Sequence, residues 1–143
     1  MTDEAPRADE SPAIDLDALA EAARGVAERA YSPYSHVRVG AALQATDGRI
    51  FLGCNVENAS FGATICAERS ALVAAVAAGA REFVALSIWG SPQARLMPCG
   101  MCRQMLVEFG AELLVQVESC GTGRATYTLA ELLPGAVVPG SLL

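Results

Sequence analysis

The sequence predicts a three-layer α/β fold whose sheet carries a hairpin at one edge. Three observations lead there. Strand-periodic and helix-periodic stretches alternate in the order α-β-β-α-β-α-β, followed by a short β-α end. Asp47-Gly48, a hairpin-turn signal, sits between two strand patterns. With 143 residues, 52% of them hydrophobic, the chain is long enough to bury a core without disulfides.

Each element has a local reason. Residues 1–13 are acidic, proline-containing and poor in large apolar side chains, and are expected to be a disordered tail ahead of a single domain spanning 14–143. Asp15 or Asp17 caps a first helix running to about Tyr31, with Leu16, Leu19, Ala23, Val26, Ala27 and Ala30 on one face. Ser32-Pro33-Tyr34-Ser35 is a loop. Val37, Val39, Ala41 and Leu43 alternate as in a strand, and Ile50 to Val56 is its hairpin partner. After an irregular stretch from Glu57 to Ile65, a helix runs from about Cys66 to Ala78 and stops at Gly79. It is apolar nearly all round and is expected to be buried on most sides. Phe83 to Trp89 is a strand that ends on a tryptophan expected in the core or an interface, and Gly90 to Pro98 is a loop. Pro98 opens a third helix, Cys99 to Phe109. Leu113 to Val117 is a strand, Tyr127 lies on a short last one, and Thr128 caps a final turn through Leu133.

Charge removes several function classes. The net charge is −6, and six acids against one Arg in the first seventeen residues account for most of it. No basic stripe is left to hold a phosphate backbone, which argues against a nucleic-acid partner. All ten basic residues are Arg, which excludes a Schiff-base lysine and a P-loop. No apolar run approaches the ~18 residues of a membrane span. A single histidine, His36, rules out sites built on several imidazoles, and its position where loop meets strand suits a surface or hydrogen-bonding role. Five cysteines, an odd number, with no signal peptide at the start of the chain, point to the cytoplasm rather than to a secreted disulfide framework.

Two segments carry chemistry: Cys66-Ala67-Glu68 and Pro98-Cys99-Gly100-Met101-Cys102. Each places cysteine at a predicted helix N-terminus, where the dipole and free N–H groups stabilise the thiolate that binds metal. Cys99 and Cys102 are three apart, on one helical face. Three thiolates hold Zn²⁺ and leave the fourth tetrahedral position open for water. Glu68, in the first helical turn, is placed to take that water's proton without occupying the metal. Arg69 is placed to offset the thiolate charge by donating to sulfur. The competing reading is a closed structural site with Cys54 as fourth ligand, in a non-catalytic interaction module. Cys54 also reads as an ordinary strand thiol, and Cys120 as a plain one. The pairing of C-x-E with P-C-x-x-C favours catalysis, because it is the pattern of zinc deaminases.

With these motifs in place, the sequence resembles the small homotetrameric cytidine deaminases from about Ala30 to Val137. The matching blocks are Ser32-Pro33-Tyr34-Ser35, Val39-Gly40-Ala41-Ala42, Gly53-Cys54-Asn55-Val56-Glu57-Asn58-Ala59, Cys66-Ala67-Glu68-Arg69, Pro98-Cys99-Gly100-Met101-Cys102-Arg103-Gln104 and Glu131-Leu132-Leu133-Pro134-Gly135. The resemblance implies a three-layer α-β-α fold around a mixed five-stranded sheet. It implies one zinc per subunit on Cys66, Cys99 and Cys102, with Glu68 as proton shuttle. It implies that Asn55 and Glu57 hydrogen-bond the ribose, and that the Ala67 N–H, the Met97 carbonyl and Ala59 line the nucleoside site. Each site of the implied homotetramer would be completed by a neighbouring subunit.

Three positions depart from the family pattern. Val37 and Val137 stand where Phe approaches the base, and Phe61 stands where Tyr is frequent. Each lost ring removes stacking of about 0.5–1.5 kcal/mol and leaves room around the base, unless neighbouring side chains refill it. The reading is therefore zinc-dependent hydrolytic deamination of cytidine or deoxycytidine in pyrimidine salvage, with a range widened towards N4- or C5-modified cytidines. Deamination of a cytosine-containing antibiotic is the nearest alternative.

Overall fold

A computed structural model describes residues 12–92, 96–119 and 123–142. The expected acidic tail lies almost wholly outside the described residues, as does Cys120. The chain runs α1 (Leu16–Ala27), β1 (Val39–Ala45), β2 (Ile50–Cys54), a 3₁₀ turn (Phe61–Ala63), α2 (Ala67–Ala77), β3 (Phe83–Gly90), α3 (Gly100–Val107), β4 (Leu114–Ser119), β5 (Gly123–Thr128) and α4 (Leu129–Leu132). The strands form one mixed sheet in the order β2-β1-β3-β4-β5. Among the described strands of this sheet, β3 and β4 pair in parallel and the other neighbours antiparallel.

Side-chain alternation sorts the layers. Ala42 and Ala85 point to one face, where they pack under Leu19 and Ala23 of α1. Ala41, Leu43, Leu86, Ile88, Val115 and Val117 point to the other and meet Ala71, Leu72, Ala75 and Leu106 of α2 and α3. The three-layer expectation therefore holds, with the hairpin at the sheet edge. Trp89 packs against the α1 cluster.

Two glycines set how closely the layers approach. A Cβ on Gly40 would lie 1.9 Å from the Ala23 carbonyl oxygen of α1. A Cβ on Gly53 would lie 2.3 Å from the Ala71 nitrogen and 2.4 Å from the Ala67 oxygen of α2. Backbone therefore rests on backbone at both places. The second contact presses the first turns of α2 against β2.

Two expectations are corrected. The first helix stops at Ala27 rather than near Tyr31, because the Tyr31 backbone is taken by a later segment. Its N–H donates to the Asn55 carbonyl, and its carbonyl accepts from Glu57 N–H. The cap is Asp15, whose side chain accepts from Ala18 N–H, while Asp17 pairs with Arg124. The second correction concerns α2, which is not buried on most sides: Val73, Ala74 and Ala77 face outward, with Val73 53% exposed. The sheet covers only one side of α2, so its other apolar stripe is open in the single chain.

Candidate metal centre and active site

Topology explains why two distant motifs meet. β2 and β3 both run antiparallel to β1, so both finish at the same end of the sheet. Beyond β2, Val56 and Ile65 exchange backbone hydrogen bonds of 2.9 Å, closing off residues 57–64 and delivering Cys66 to the start of α2. Beyond β3, the chain delivers Cys99 to the start of α3. Both cysteines are N-cap residues in extended conformation.

The sulfurs of Cys66, Cys99 and Cys102 all lie within 4.8 Å of one another, with Cys66–Cys99 at 3.6 Å and Cys99–Cys102 at 3.4 Å. Thiolates about 2.3 Å from a tetrahedral zinc stand roughly 3.8 Å apart, so the donor set fits that ion in both chemistry and spacing. Among the described residues Cys54 does not belong to the cluster. It sits on β2 opposite Gly40, the strand thiol that was one of its two readings. The three sulfurs leave a fourth position open.

Electrostatics follow from burial and sharing. A hydrogen bond from Cys102, helped by Arg69, lowers the Cys66 thiol to about 5 despite its partial burial. The same bond to Cys66, together with burial, pushes Cys102 up. Arg69 donates from Nη2 to the Thr64 carbonyl at 3.1 Å and to Cys66 Sγ at 3.8 Å. Glu68 is 3% exposed, and burial raises its carboxyl to about 7.

Asn55 and Glu57 come together, and their hydrogen bonds run to the loop ahead of β1. Asn55 Oδ1 accepts from Val39 N–H at 2.8 Å, and Nδ2 donates to the Val37 carbonyl at 2.9 Å. The Glu57 carboxylate accepts from the N–H groups of Tyr34 and Ser35 and from the Ser35 hydroxyl at 2.6 Å. These bonds, led by the hydroxyl, hold Glu57 below the usual carboxylate range. Tyr34, Ser35, Glu57, Phe61 and Thr64 line a cleft of about 340 Å³. The Tyr34 and Phe61 rings meet edge to face at 5.6 Å.

The remaining candidates scatter around this end of the sheet. Ala67 is buried as the first residue of α2, Val37 is half-buried, and Ala59 is exposed. Phe61 and Val137 are 73% and 51% exposed. His36 is exposed on the loop with φ 61°. Ser35 and Thr64 were missed as supports. The only sequence signal for Ser35 is a hydroxyl in a turn, common to many turns, and Thr64 acts through its backbone carbonyl, which carries no sequence signal.

The chain matches the family described as "Cytidine and deoxycytidylate deaminase zinc-binding region" over residues 14–118. It belongs to that family. A cytidine deaminase of Sporosarcina psychrophila is 41% identical over 124 residues, covering 86% of this chain and 91% of the relative. The crystal structure of cytidine deaminase from Burkholderia pseudomallei superposes with a TM-score of 0.82 at 44% identity, covering 87% of this chain and all of that one. That from Mycobacterium tuberculosis gives 0.76 at 40% identity, covering 87% of this chain and 98% of that one. The family is zinc-binding, and Cys66, Cys99 and Cys102 are positioned to bind a metal ion.

Proposed function

We propose that this chain catalyses hydrolytic deamination of cytidine and deoxycytidine, releasing ammonia and the corresponding uridine. The observation that carries the reading is a buried carboxylate, Glu68, two residues from one of three converging sulfurs that leave a ligand position open. Zinc, when bound, supplies Lewis acidity that makes water a nucleophile near neutral pH. Glu68 accepts one proton from the attacking water and gives it to N3 of the base, then carries the second, from the hydroxyl now on C4, to the amine, which departs as ammonia.

Cys66, Cys99 and Cys102 hold the metal, and Arg69 offsets their charge. The base lies against the Ala67 N–H, the Met97 carbonyl, Ala59 and the side chain of Val37. Asn55 and Glu57 retain hydrogen-bonding capacity for the ribose. Asn55 spends one amide hydrogen and one acceptor site on the loop, and Glu57 spends three acceptor sites of about four. The decisive assay follows cytidine by ultraviolet absorbance with wild type and Glu68→Ala. Conversion by wild type, beside a variant that keeps zinc but is inactive, is the expected result. Zinc-loaded wild type that leaves cytidine untouched overturns the reading.

The working unit is a homotetramer with shared sites, acting in cytoplasmic pyrimidine salvage. Support comes from apolar side chains left open at the α2 face and the site edge: Val73, Phe61, Met101 and Val137. Light scattering should return four times the chain mass of 14.8 kDa. Val137 reaches the site from a neighbouring subunit, Phe61 offers the ribose no hydroxyl, and Val37 and Val137, lacking rings, widen the site towards N4- and C5-modified cytidines. A Val37→Phe, Val137→Phe double variant should discriminate against such nucleosides more strictly than wild type; equal discrimination removes the widened range.

A further inference from the structure

Arg103 and Gln104 follow Cys102 directly, and neither has a part in the chemistry proposed above. The Arg103 backbone N–H donates to the Cys99 carbonyl at 3.0 Å. Its side chain folds back so that Nε donates to the Pro98 carbonyl at 2.7 Å. Its Nη1 donates to the Leu132 carbonyl, the last residue of α4, at 2.6 Å. The backbone bond is the ordinary one of the helix; the side chain holds the carbonyl of the Pro98–Cys99 peptide and ties it to the C-terminal segment. Gln104 makes a separate tie, Nε2 donating to the Val137 carbonyl at 2.8 Å.

We propose that Arg103 is a positioning residue for the metal ligand Cys99, and that through it the end of α4 becomes part of the metal centre's support. The inference rests on the zinc-holding role of Cys99. Pro98 is fully buried and has no N–H, so its carbonyl is its only backbone hydrogen-bonding group. Cys99 caps α3 with no side-chain bond to the helix backbone, its sulfur facing only the sulfurs of Cys66 and Cys102. The direction of its Cα–Cβ bond, and hence where Sγ lies, is therefore set by the peptide that Arg103 grips. A guanidinium is a flat fork that bonds two carbonyls on different elements at once, whereas an ammonium on a flexible stem does not reproduce that geometry. Gln104 grips only the segment around Val137, so its loss should be felt at the cleft and not at the metal.

The test measures zinc release from the loaded tetramer to a chromogenic chelator, and the rise in Tm that zinc confers. Arg103→Lys should release zinc about 10–100-fold faster than wild type and lose part of the zinc-dependent rise. Arg103→Gln should do the same, and Gln104→Ala should match wild type in both measurements. A brace that merely stabilises the fold would lower Tm equally with and without zinc and leave release unchanged; that result for Arg103→Lys overturns the proposal. Equal acceleration in Arg103→Lys and Gln104→Ala overturns it too, since that is general loosening. No substrate enters the measurement, so it stands apart from the deaminase assay. Wild type that takes up no zinc overturns both this proposal and the metal-holding role of Cys99.

Discussion

The two faces of the sheet are built to different standards. On the α2–α3 face a continuous apolar cluster runs from Ala41 to Leu132, and the sulfurs and Glu68 sit at its rim. On the α1 face the cluster is small, and polar side chains share it. Ser87 and Gln116, paired in register across β3 and β4, are fully buried with their side-chain polar atoms unpartnered, and Gln44 spends its amide on the Ala13 carbonyl. Buried polar groups without partners cost free energy. The contrast teaches that close packing is concentrated behind the chemistry, while the α1 side serves as a lid that tolerates defects.

The largest effect should come from the rim of the well-packed face. Glu68→Gln should lower turnover of cytidine by at least about 10²-fold with zinc content unchanged, measured by steady-state kinetics beside metal analysis. The same substitution should act oppositely on stability once zinc is stripped. Burial raises the folded-state carboxyl from 4.5 to about 7, so ionising it in the folded protein costs free energy that is absent below pH 4.5 and full above pH 7. Stripped Glu68→Gln should therefore exceed wild type in urea-denaturation stability by up to about 3 kcal/mol at pH 8, with little difference at pH 4.

The glycines sharpen the comparison, because they press helices onto opposite faces. Gly40→Ala and Gly53→Ala should each cost at least about 1–3 kcal/mol, since the obstacle is backbone in both cases. They should part in function. Gly53→Ala displaces the first turns of α2 and should lower kcat per folded molecule, whereas Gly40→Ala displaces α1 and should leave kcat near wild type. The smallest effect belongs to the tolerant face. Gln116→Leu should be neutral or stabilising by about 1 kcal/mol, because it removes two buried orphans at similar volume. A loss of several kcal/mol there would show that the α1 face is as demanding as the other.

Much of this was legible in the sequence because the signals are local. Alternation at Val39–Leu43, the Asp47-Gly48 turn, and Pro98 ahead of a helix each fix their element within a few residues. The metal cluster was legible because cysteine at two helix starts is rare and specific. Tertiary competition was not legible. Tyr31 fits the helical pattern, yet its backbone is claimed by Asn55 and Glu57 from across the hairpin. The open stripe on α2 could not be seen either, because an all-apolar helix reads the same whether its second face meets this chain or another. Nor does the sequence show that Asn55 and Glu57 brace the Tyr34–Val39 loop, since nothing in an amide or a carboxylate tells which of its bonds are already taken.

The lopsided sulfur pair has a consequence for how the protein acquires its ion. The thiol of Cys66 is lowered, but the bond to Cys66 and burial favour a proton on Cys102. Ligation requires that proton to leave, so metal capture discharges acid into the medium and the holo state gains ground as the surroundings turn alkaline. Acidification works in the opposite direction, returning the proton to sulfur and loosening the hold on the ion. Metal loading of this chain is therefore an exchange of one cation for another, tuned by the acidity around it.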